Sequence, residues 1–272
     1  MKLPRMPATE HGPYLQRAAL RTLVIVSLLA LVAGCASPSP RASLTATKRA
    51  AYAANYRNDQ AGLRTAIASF AVLEKDRDLG GFALYYAGWS EWMLATSQLQ
   101  DKQPAAATTT LESAAAHLKR ALEIQPDDAE AHTVLVFTLV ALTAANPGRW
   151  QELAPEISLH RRRALALAPH NPRTLIMDAM MIFYAPPQYG GGQEKGIARW
   201  LEAQPLFDAE KIPDPAQPDW GRPLTDGWLA NLYLAMSPPH PTEARQLAGQ
   251  ILSQRPDYWF VKTQVMPKLP QP

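Results

Sequence analysis

The stretch AAAHLKRALEIQPDDAEAHTVLVFTLV, residues Ala114 to Val140, decides the fold class of this 272-residue chain. Its first half places a small, a bulky and a small residue at Ala114, Leu118 and Ala121 on one helical face, and Pro126 follows. Alanines let two helices approach closely, leucine fills the gap between them, and a proline cannot continue the helix. Two aspartates after the proline suit the positive end of the next helix. The stretch therefore predicts a helix, a short turn and a second helix.

The same small–bulky–small spacing, or the same distance from alanine to proline, recurs along the chain. The matching sets are Ala66, Phe70 and Leu73; Ala164 and Pro169; Gly196, Trp200 and Ala203; and Ala244, Ala248, Ile251 and Pro256. These stretches resemble the tetratricopeptide repeat, a helix–turn–helix unit of about 34 residues. The interval between the prolines at 126 and 169 is longer, which an insertion around Thr143 to Pro155 explains. We expect an all-α fold: an irregular tetratricopeptide-like solenoid of about five helical hairpins over residues 44–266, followed by a tail, 267–272.

The C-terminal half extends the resemblance beyond the repeat itself. An Asn-Pro-Arg start, a Pro/Gly-Gly connector and an Asp-Trp-Gly triplet occur at Asn171–Arg173, Pro186–Gly192 and Asp219–Gly221. They resemble a group of bacterial exported tetratricopeptide-like lipoproteins. The Gly-Gly connector is also similar to one in the tetratricopeptide-like lipoprotein associated with TRAP-type solute transporters.

The N-terminus has the layout of an export signal. Basic residues precede the apolar run TLVIVSLLALVAGC, Thr22 to Cys35, as in secretory signal peptides, whose apolar region spans roughly 7–15 residues. A retained membrane anchor is the alternative, although a bilayer-spanning helix needs about 20 apolar residues. VAGC, Val32 to Cys35, resembles the bacterial lipobox. The resemblance implies that residues 1–34 are removed and that Cys35, the only cysteine of the chain, carries a diacylglycerol and an N-acyl group.

The residues after Cys35 suggest how the protein is held. Residues 35–43 include SPSPRAS and predict a short Pro/Ser tether. Ala36 replaces the aspartate that often retains such lipoproteins at the inner membrane, so we expect the outer membrane, facing the periplasm. Apart from the lipid at Cys35 we expect no cofactor and no other contact with the membrane.

The positive net charge belongs to the export signal. Four of the 27 basic residues but only one of the 24 acidic residues lie in residues 1–34, so the rest of the chain is balanced. A balanced chain lacks the basic footprint of nucleic-acid binding. Nucleic acid is therefore not an expected partner.

The stretch YAPPQYGGGQEKGIARW, Tyr184 to Trp200, raises the question of a nucleotide loop. A P-loop needs Gly-Lys followed by Ser or Thr, with a strand before it. Here the pair is reversed at Lys195–Gly196, no hydroxyl follows, and the preceding segment has a helical pattern. Two prolines and three glycines suit a turn between helices. We interpret the stretch as a connector and expect no nucleotide.

Motifs for catalysis are missing from the sequence. The histidines after the signal show no metal-binding spacing; they are His117, His132, His160, His170 and His240. No nucleophile elbow occurs. Arg161 to Arg163 suggest either an anion or lipid-headgroup patch or a solvated helix face, and we favour the face. We therefore predict that the protein is not an enzyme and that it holds no metal.

Aromatic residues supply the candidate binding site. Spacings of three and four place Phe82, Tyr85, Trp89 and Trp92 on one helical face. The repeat register adds residues from the next units to the same concave side: Phe137, Met180 and Phe183. We predict a groove that docks a protein or peptide of the envelope; a solute-handling role like that of the transporter-associated lipoprotein is the alternative. A closed array, plugged by Trp220 and Trp228, would instead make these residues core.

Overall fold

The structure, a computed structural model, describes residues 38–270. Helices and turns make up its regular structure, and no strand occurs in that range, which confirms the all-α fold class. The α-helices in chain order are α1 (Pro40–Tyr56), α2 (Gln60–Ala71), α3 (Gly80–Gln100), α4 (Pro104–Ile124), α5 (Ala129–Ala145), α6 (Trp150–Leu167), α7 (Pro172–Tyr184), α8 (Gln193–Ala209), α9 (Leu224–Ala235) and α10 (Pro241–Gln254). Short π and 3₁₀ turns, Val261–Val265 and Met266–Lys268, follow α10.

Consecutive helices pack in pairs and form five hairpins within the described range. The first helices of neighbouring hairpins also touch: α1 packs on α3, α3 on α5, and α5 on α7. This is the arrangement expected of a tetratricopeptide-like array. The boundaries differ slightly from those predicted. Pro40–Ser43 of the expected tether is helical, because proline fits the first turn of a helix, and Leu269 of the expected tail packs against the core.

Side-chain caps at the helix starts explain where the turns between hairpins fall. Asp128 accepts hydrogen bonds from the backbone N–H groups of Glu130 and Ala131 at 2.9 and 3.1 Å. Asn171 does the same for Arg173 and Thr174 at the start of α7. Each cap satisfies backbone donors that have no partner inside the helix. A capped helix start therefore follows each of the turns that the prolines at 126 and 169 predicted.

The small–bulky–small pattern marks close approaches between helices, as predicted. Ala114, Leu118 and Ala121 are all buried on the face of α4 that meets α3. A Cβ built on Gly88 of α3 would stand 2.6 Å from Cγ of Leu118. Only glycine at position 88 leaves room for the leucine, so the two positions form one packing unit.

A second close approach, between α7 and α8, gives a testable difference between two glycines. A Cβ on Gly196 would lie 2.6 to 2.8 Å from backbone and Cβ atoms of Phe183, whereas a Cβ on Gly249 of α10 would meet nothing within 4 Å. We expect Gly196→Ala to lower the free energy of unfolding by about 1–3 kcal/mol through overpacking. Gly249→Ala is expected to raise it by about 0.5–1 kcal/mol through helix propensity. Urea unfolding of both variants measures the contrast, and equal effects would contradict the close packing of α7 on α8.

The long connection from α8 to α9, residues 210–223, does not loop into solvent. Lys48 of α1 donates hydrogen bonds to the carbonyl oxygens of Pro215 and Gln217 at 2.8 and 3.1 Å. Tyr86 of α3 donates to the carbonyl oxygen of Ala216 at 2.7 Å. The connection therefore lies across the first helices of the first two hairpins.

The last hairpin and the segment after it return to the first hairpins. Trp228 of α9 contacts the ring of Trp92 of α3, with ring centroids 5.7 Å apart. Tyr258 meets Tyr56 of α1 edge to face at 4.9 Å, and the guanidinium of Arg255 lies 4.3 Å from the centre of the Tyr56 ring. The two ends of the array thus touch, and the face shared by α1, α3 and α5 is enclosed.

Candidate ligand-binding groove

The predicted aromatic face is mostly core. Tyr85 and Trp89 are 1% exposed and Trp92 is 5% exposed. Trp220 donates a hydrogen bond from its indole nitrogen to the Tyr85 hydroxyl at 2.7 Å, and Trp228 packs on Trp92. The expectation of an open groove at Tyr85, Trp89 and Trp92 is corrected here. The connection 210–223 and α9 cover Tyr85 and Trp92, as the closed-array alternative anticipated, and Tyr52 of α1 packs on Trp89.

The other predicted residues lie in different parts of the structure. Phe82 is half-buried and lines a polar cleft of about 630 Å³ beside the Arg173 side chain. Phe183 is buried where α7 meets Gly196. Phe137 and Met180 alone among the predicted residues line an open apolar groove. Cys35, the predicted lipidation site, lies outside the described residues.

We call that apolar groove the methionine groove; it has a volume of about 690 Å³. Its floor comes from α5 and α7: Phe137, Met177, Met180 and Met181. Its rim comes from α6, the end of α7 and the connector that follows: Trp150, Arg161, Tyr184 and Tyr189. Pockets of roughly 300–1,000 Å³ with mainly apolar walls are typical small-molecule sites. The groove is therefore the candidate site.

Large aromatic side chains stand exposed around the groove. Tyr189 is 80% exposed, Tyr184 64% and Trp150 49%. Single exposed apolar residues are ordinary on protein surfaces, but several around one apolar depression indicate an interaction site. A tyrosine phenol is protonated at neutral pH, and burial raises the pKa of Tyr184 further above that range. The rim therefore offers flat, neutral rings.

The connector interpretation of the glycine-rich stretch is confirmed, and the connector also builds the rim. After α7 ends, Pro187–Tyr189 forms a 3₁₀ turn that carries Tyr189 to the surface. Gly190 and Gly192 have φ values of 82° and 139°, a region that favours glycine. A Cβ on Gly191 would come within 2.0 Å of the carbonyl oxygen of Ala185, so the turn folds back tightly on the end of α7.

The three consecutive arginines point to three different partners. Arg162 donates to the Ser158 hydroxyl, and Arg163 donates to Asp127 at 2.9 Å. Arg161 turns the other way, to the groove, and donates from Nε to Asp178 at 2.8 Å. The triplet therefore does not form one anion patch. For Arg162 and Arg163 the solvated-face interpretation holds, whereas Arg161 belongs to the groove.

Sequence reasoning missed most of the rim. Trp150 lies in the insertion between repeats, and Tyr184 and Tyr189 lie in a stretch that we interpreted only as a turn. The signal available in the sequence was the number of aromatic residues next to prolines and glycines. Met177 and Met181 flank the predicted Met180 on α7 at helical spacing, so the helix period pointed to them as well.

Two histidines that are distant in sequence meet between α5 and α6. The Nδ1 atoms of His132 and His160 are 2.7 Å apart, and Nε2 of His132 lies 3.0 Å from the carbonyl oxygen of Pro126. Nε2 of His132 must donate to that carbonyl, so its Nδ1 accepts from His160. Burial lowers the pKa of His132, and burial and the facing His132 lower the pKa of His160 to about 4. Lys119 reinforces the shift on His160, and Glu156 opposes it.

The histidine pair predicts a loss of stability in mild acid. Between pH 6.5 and about 4 the unfolded chain binds protons at these rings that the folded protein does not, so stability falls as pH falls through this window. We expect wild type to lose on the order of 2 kcal/mol more than His160→Gln between pH 7 and pH 5. Urea unfolding at both pH values measures the difference, with His170→Gln, an exposed histidine, as the control. His117, whose pKa Glu91 raises, contributes stability that is lost only at higher pH. Equal pH dependence in wild type and His160→Gln would contradict the prediction.

Comparison with known proteins adds a structural neighbour. No family model and no curated protein matches the chain. Among solved structures, the chain is similar to the HusA haemophore from Porphyromonas gingivalis, with a TM-score of 0.56 and 22% sequence identity. The match covers 80% of this chain and 96% of that chain. At this identity the likeness supports the all-α fold.

Within the described residues 38–270, no helix has both the length and the hydropathy to cross a membrane.

Proposed function

We propose that this protein is a non-catalytic binding protein, attached to the bacterial envelope through lipid at Cys35, that holds a flat apolar small molecule in the methionine groove. The observation that carries the proposal is the groove itself: about 690 Å³, open, and lined by methionine and aromatic side chains. The lipid attachment rests on the lipobox resemblance of Val32–Cys35. It fits a protein that collects its ligand at a membrane surface.

A small molecule suits the groove better than the protein or peptide that the sequence suggested. The concave face on which a peptide would have docked is occupied by the connection 210–223 and by α9. The volume of the methionine groove lies within the range of small-molecule pockets, roughly 300–1,000 Å³. Methionine side chains adapt their shape to a ligand and interact well with aromatic rings. The groove therefore favours a rigid, flat, apolar ligand.

Porphyrins are the first ligand class to test. They are flat and largely apolar, and the structural neighbour is a haemophore. Besides Arg161, Thr143 and Trp150, the side-chain heteroatoms that line the groove are methionine thioethers and the hydroxyls of Tyr184 and Tyr189. Because the pKa of Tyr184 is raised, that hydroxyl stays protonated and is a poor ligand for a metal. We therefore expect recognition through the ring faces, with metal-free protoporphyrin IX bound as well as the iron form.

A charge placed on the floor of the groove tests the proposal. The chain from residue 36 to 272, which contains the whole compact unit, is titrated with protoporphyrin IX and followed by absorbance. We expect Met180→Glu to weaken binding at least about tenfold, since a buried carboxylate must lose its hydration. The control is Leu201→Glu, which adds the same charge at an exposed position of α8 outside the groove and is expected to bind like wild type. No binding by wild type, or equal binding by both variants, would contradict the proposal.

A further inference from the structure

We propose that the methionine groove selects planar ligands that carry a carboxylate, and that the guanidinium of Arg161 at its rim binds that carboxylate. The inference rests on the proposed function and names the class of ligand. Arg161 is the only charged side chain among the described residues that line the groove. A groove that is otherwise apolar or neutral therefore presents one positive charge at its edge.

Asp178 holds the Arg161 side chain in place but does not occupy all of its N–H donors. Its Nε and Nη2 atoms both contact Oδ1 of Asp178, at 2.8 and 2.6 Å. Its side chain is 33% exposed, and Nη1 has no hydrogen-bond partner among the described residues. An arginine has five N–H donors in a rigid plane, so donors remain for a ligand oxygen.

Asp178 accepts hydrogen bonds from a second arginine as well as from Arg161. Its other oxygen, Oδ2, accepts a hydrogen bond from Nε of Arg199 at 2.9 Å. The Asp178 side chain is 7% exposed, so two guanidinium groups share one buried acid. Arg199 pairs with a second acid, the exposed Glu202, while Arg161 forms an ion pair with no second acid within residues 38–270. The negative charge beside Arg161 is thus divided, and its positive charge is only partly balanced from within the protein.

The surroundings make this charge effective for recognition. A hydrogen bond between an ionised donor and an ionised acceptor is about twice as strong as one between neutral groups, and low polarity nearby strengthens it further. Because Asp178 fixes the guanidinium before the ligand arrives, little side-chain entropy is lost on binding. A carboxylate at the edge of the ligand is the group that such an arginine recognises.

The rim residues define the rest of the ligand. Trp150 lies about three helical turns before Arg161 on α6. Tyr184 and Tyr189 line the groove from the end of α7 and from the connector. Aromatic side chains favour stacked or edge-to-face contacts with another ring, which a flexible alkyl chain does not offer. The geometry therefore fits a flat ring system with a carboxylate at its edge, such as a porphyrin with free propionates, rather than a fatty acid.

Removing the ligand carboxylate and removing the arginine should have the same effect. Protoporphyrin IX and its dimethyl ester are titrated into wild type, Arg161→Gln, Arg161→Lys and Arg162→Gln, again as residues 36–272. We expect wild type to bind the free acid about tenfold more tightly than the ester, and Arg161→Gln to lose that preference while it keeps its affinity for the ester. Arg161→Lys is expected to retain part of the preference. Arg162→Gln, which removes the neighbouring arginine outside the groove, is expected to match wild type.

Binding of the ester and of a fatty acid distinguishes the possible reasons for a negative result. Unchanged binding of the ester by Arg161→Gln shows that the groove is still folded, whereas an equal loss of acid and ester would assign Arg161 a structural role and overturn the inference. If wild type binds the acid and the ester equally and Met180→Glu binds neither, the proposed function stands and the inferred selection for a carboxylate is wrong. Binding of neither would remove the proposed function itself. Palmitate that displaces protoporphyrin IX at equal concentration would contradict the planar class.

Discussion

Arg173→Met is expected to lower the free energy of unfolding by about 3–5 kcal/mol, because it leaves two carboxylates without their common partner. Arg173 of α7 is 2% exposed. Its Nε donates to Glu130 at 2.6 Å, and its Nη1 donates at 3.0 Å both to Glu210 and to the carbonyl oxygen of Trp220. Nη2 also contacts Glu210. One side chain therefore ties α5 and α7 to the connection between α8 and α9.

The effect goes beyond a single ion pair. Burial raises the pKa of Glu130, and Arg173 is the main influence that opposes the shift. Without the arginine, Glu130 must take up a proton or draw in water, and the connection loses its anchor at Trp220. Since Trp220 covers the aromatic core, the loss extends to the packing of Tyr85. Arg173→Lys is expected to recover little, because an ammonium cannot replace a guanidinium that serves three acceptors.

Urea unfolding at pH 7 measures the Arg173 prediction. Arg162→Met, which removes an exposed arginine from the solvated face of α6, is the matched control and is expected to change stability by less than about 0.5 kcal/mol. Replacing Glu130 and Glu210 by glutamine together with Arg173→Met should restore part of the loss, since no buried charge is then left alone. A loss below about 1 kcal/mol for Arg173→Met would mean that water reaches the network and that the connection is held by packing alone.

Trp92→Ala is expected to cost about 3–5 kcal/mol, the usual loss when a buried tryptophan is truncated to alanine. The Trp92 ring stacks on Phe137 with centroids 4.8 Å apart and planes 10° apart. It meets Trp220 and Trp228 edge to face at 6.2 and 5.7 Å. These contacts join α3 and α5 to the connection and to α9. A cavity here therefore weakens the closure of the whole array.

Trp150→Ala is the control for Trp92→Ala, since it removes the same side chain from the rim of the methionine groove. Trp150 is about half exposed, and we expect a stability change within about 1 kcal/mol together with weaker binding of protoporphyrin IX. Thermal unfolding and the absorbance titration are run on both variants. A Trp92→Ala protein as stable as wild type would show that this face is open, as the sequence first suggested, and would revive a docking groove there.

The sequence alone determined the helices, the hairpins and the places where helices approach closely. Those features depend on neighbours within a few residues: alanine, leucine and glycine at helical spacing, prolines at the turns, and Asp128 and Asn171 as caps. Local patterns of this kind have the same meaning wherever they occur in the chain. The connector between α7 and α8 was predicted for the same reason.

Which aromatic residues face solvent was decided only by the tertiary structure. The helical period places Trp89, Trp92, Phe137 and Met180 on inward faces, but it does not reveal what else will reach those faces. The connection 210–223 and α9 come from far along the chain and cover Trp92, because burying large aromatic surface is more favourable than leaving it in water. Tyr52 of α1 packs on Trp89. The same closure leaves Met180 uncovered on the fourth hairpin, where the methionine groove opens. Which residues a distant segment covers depends on how all five hairpins pack together. A pattern of a few neighbouring residues does not encode it.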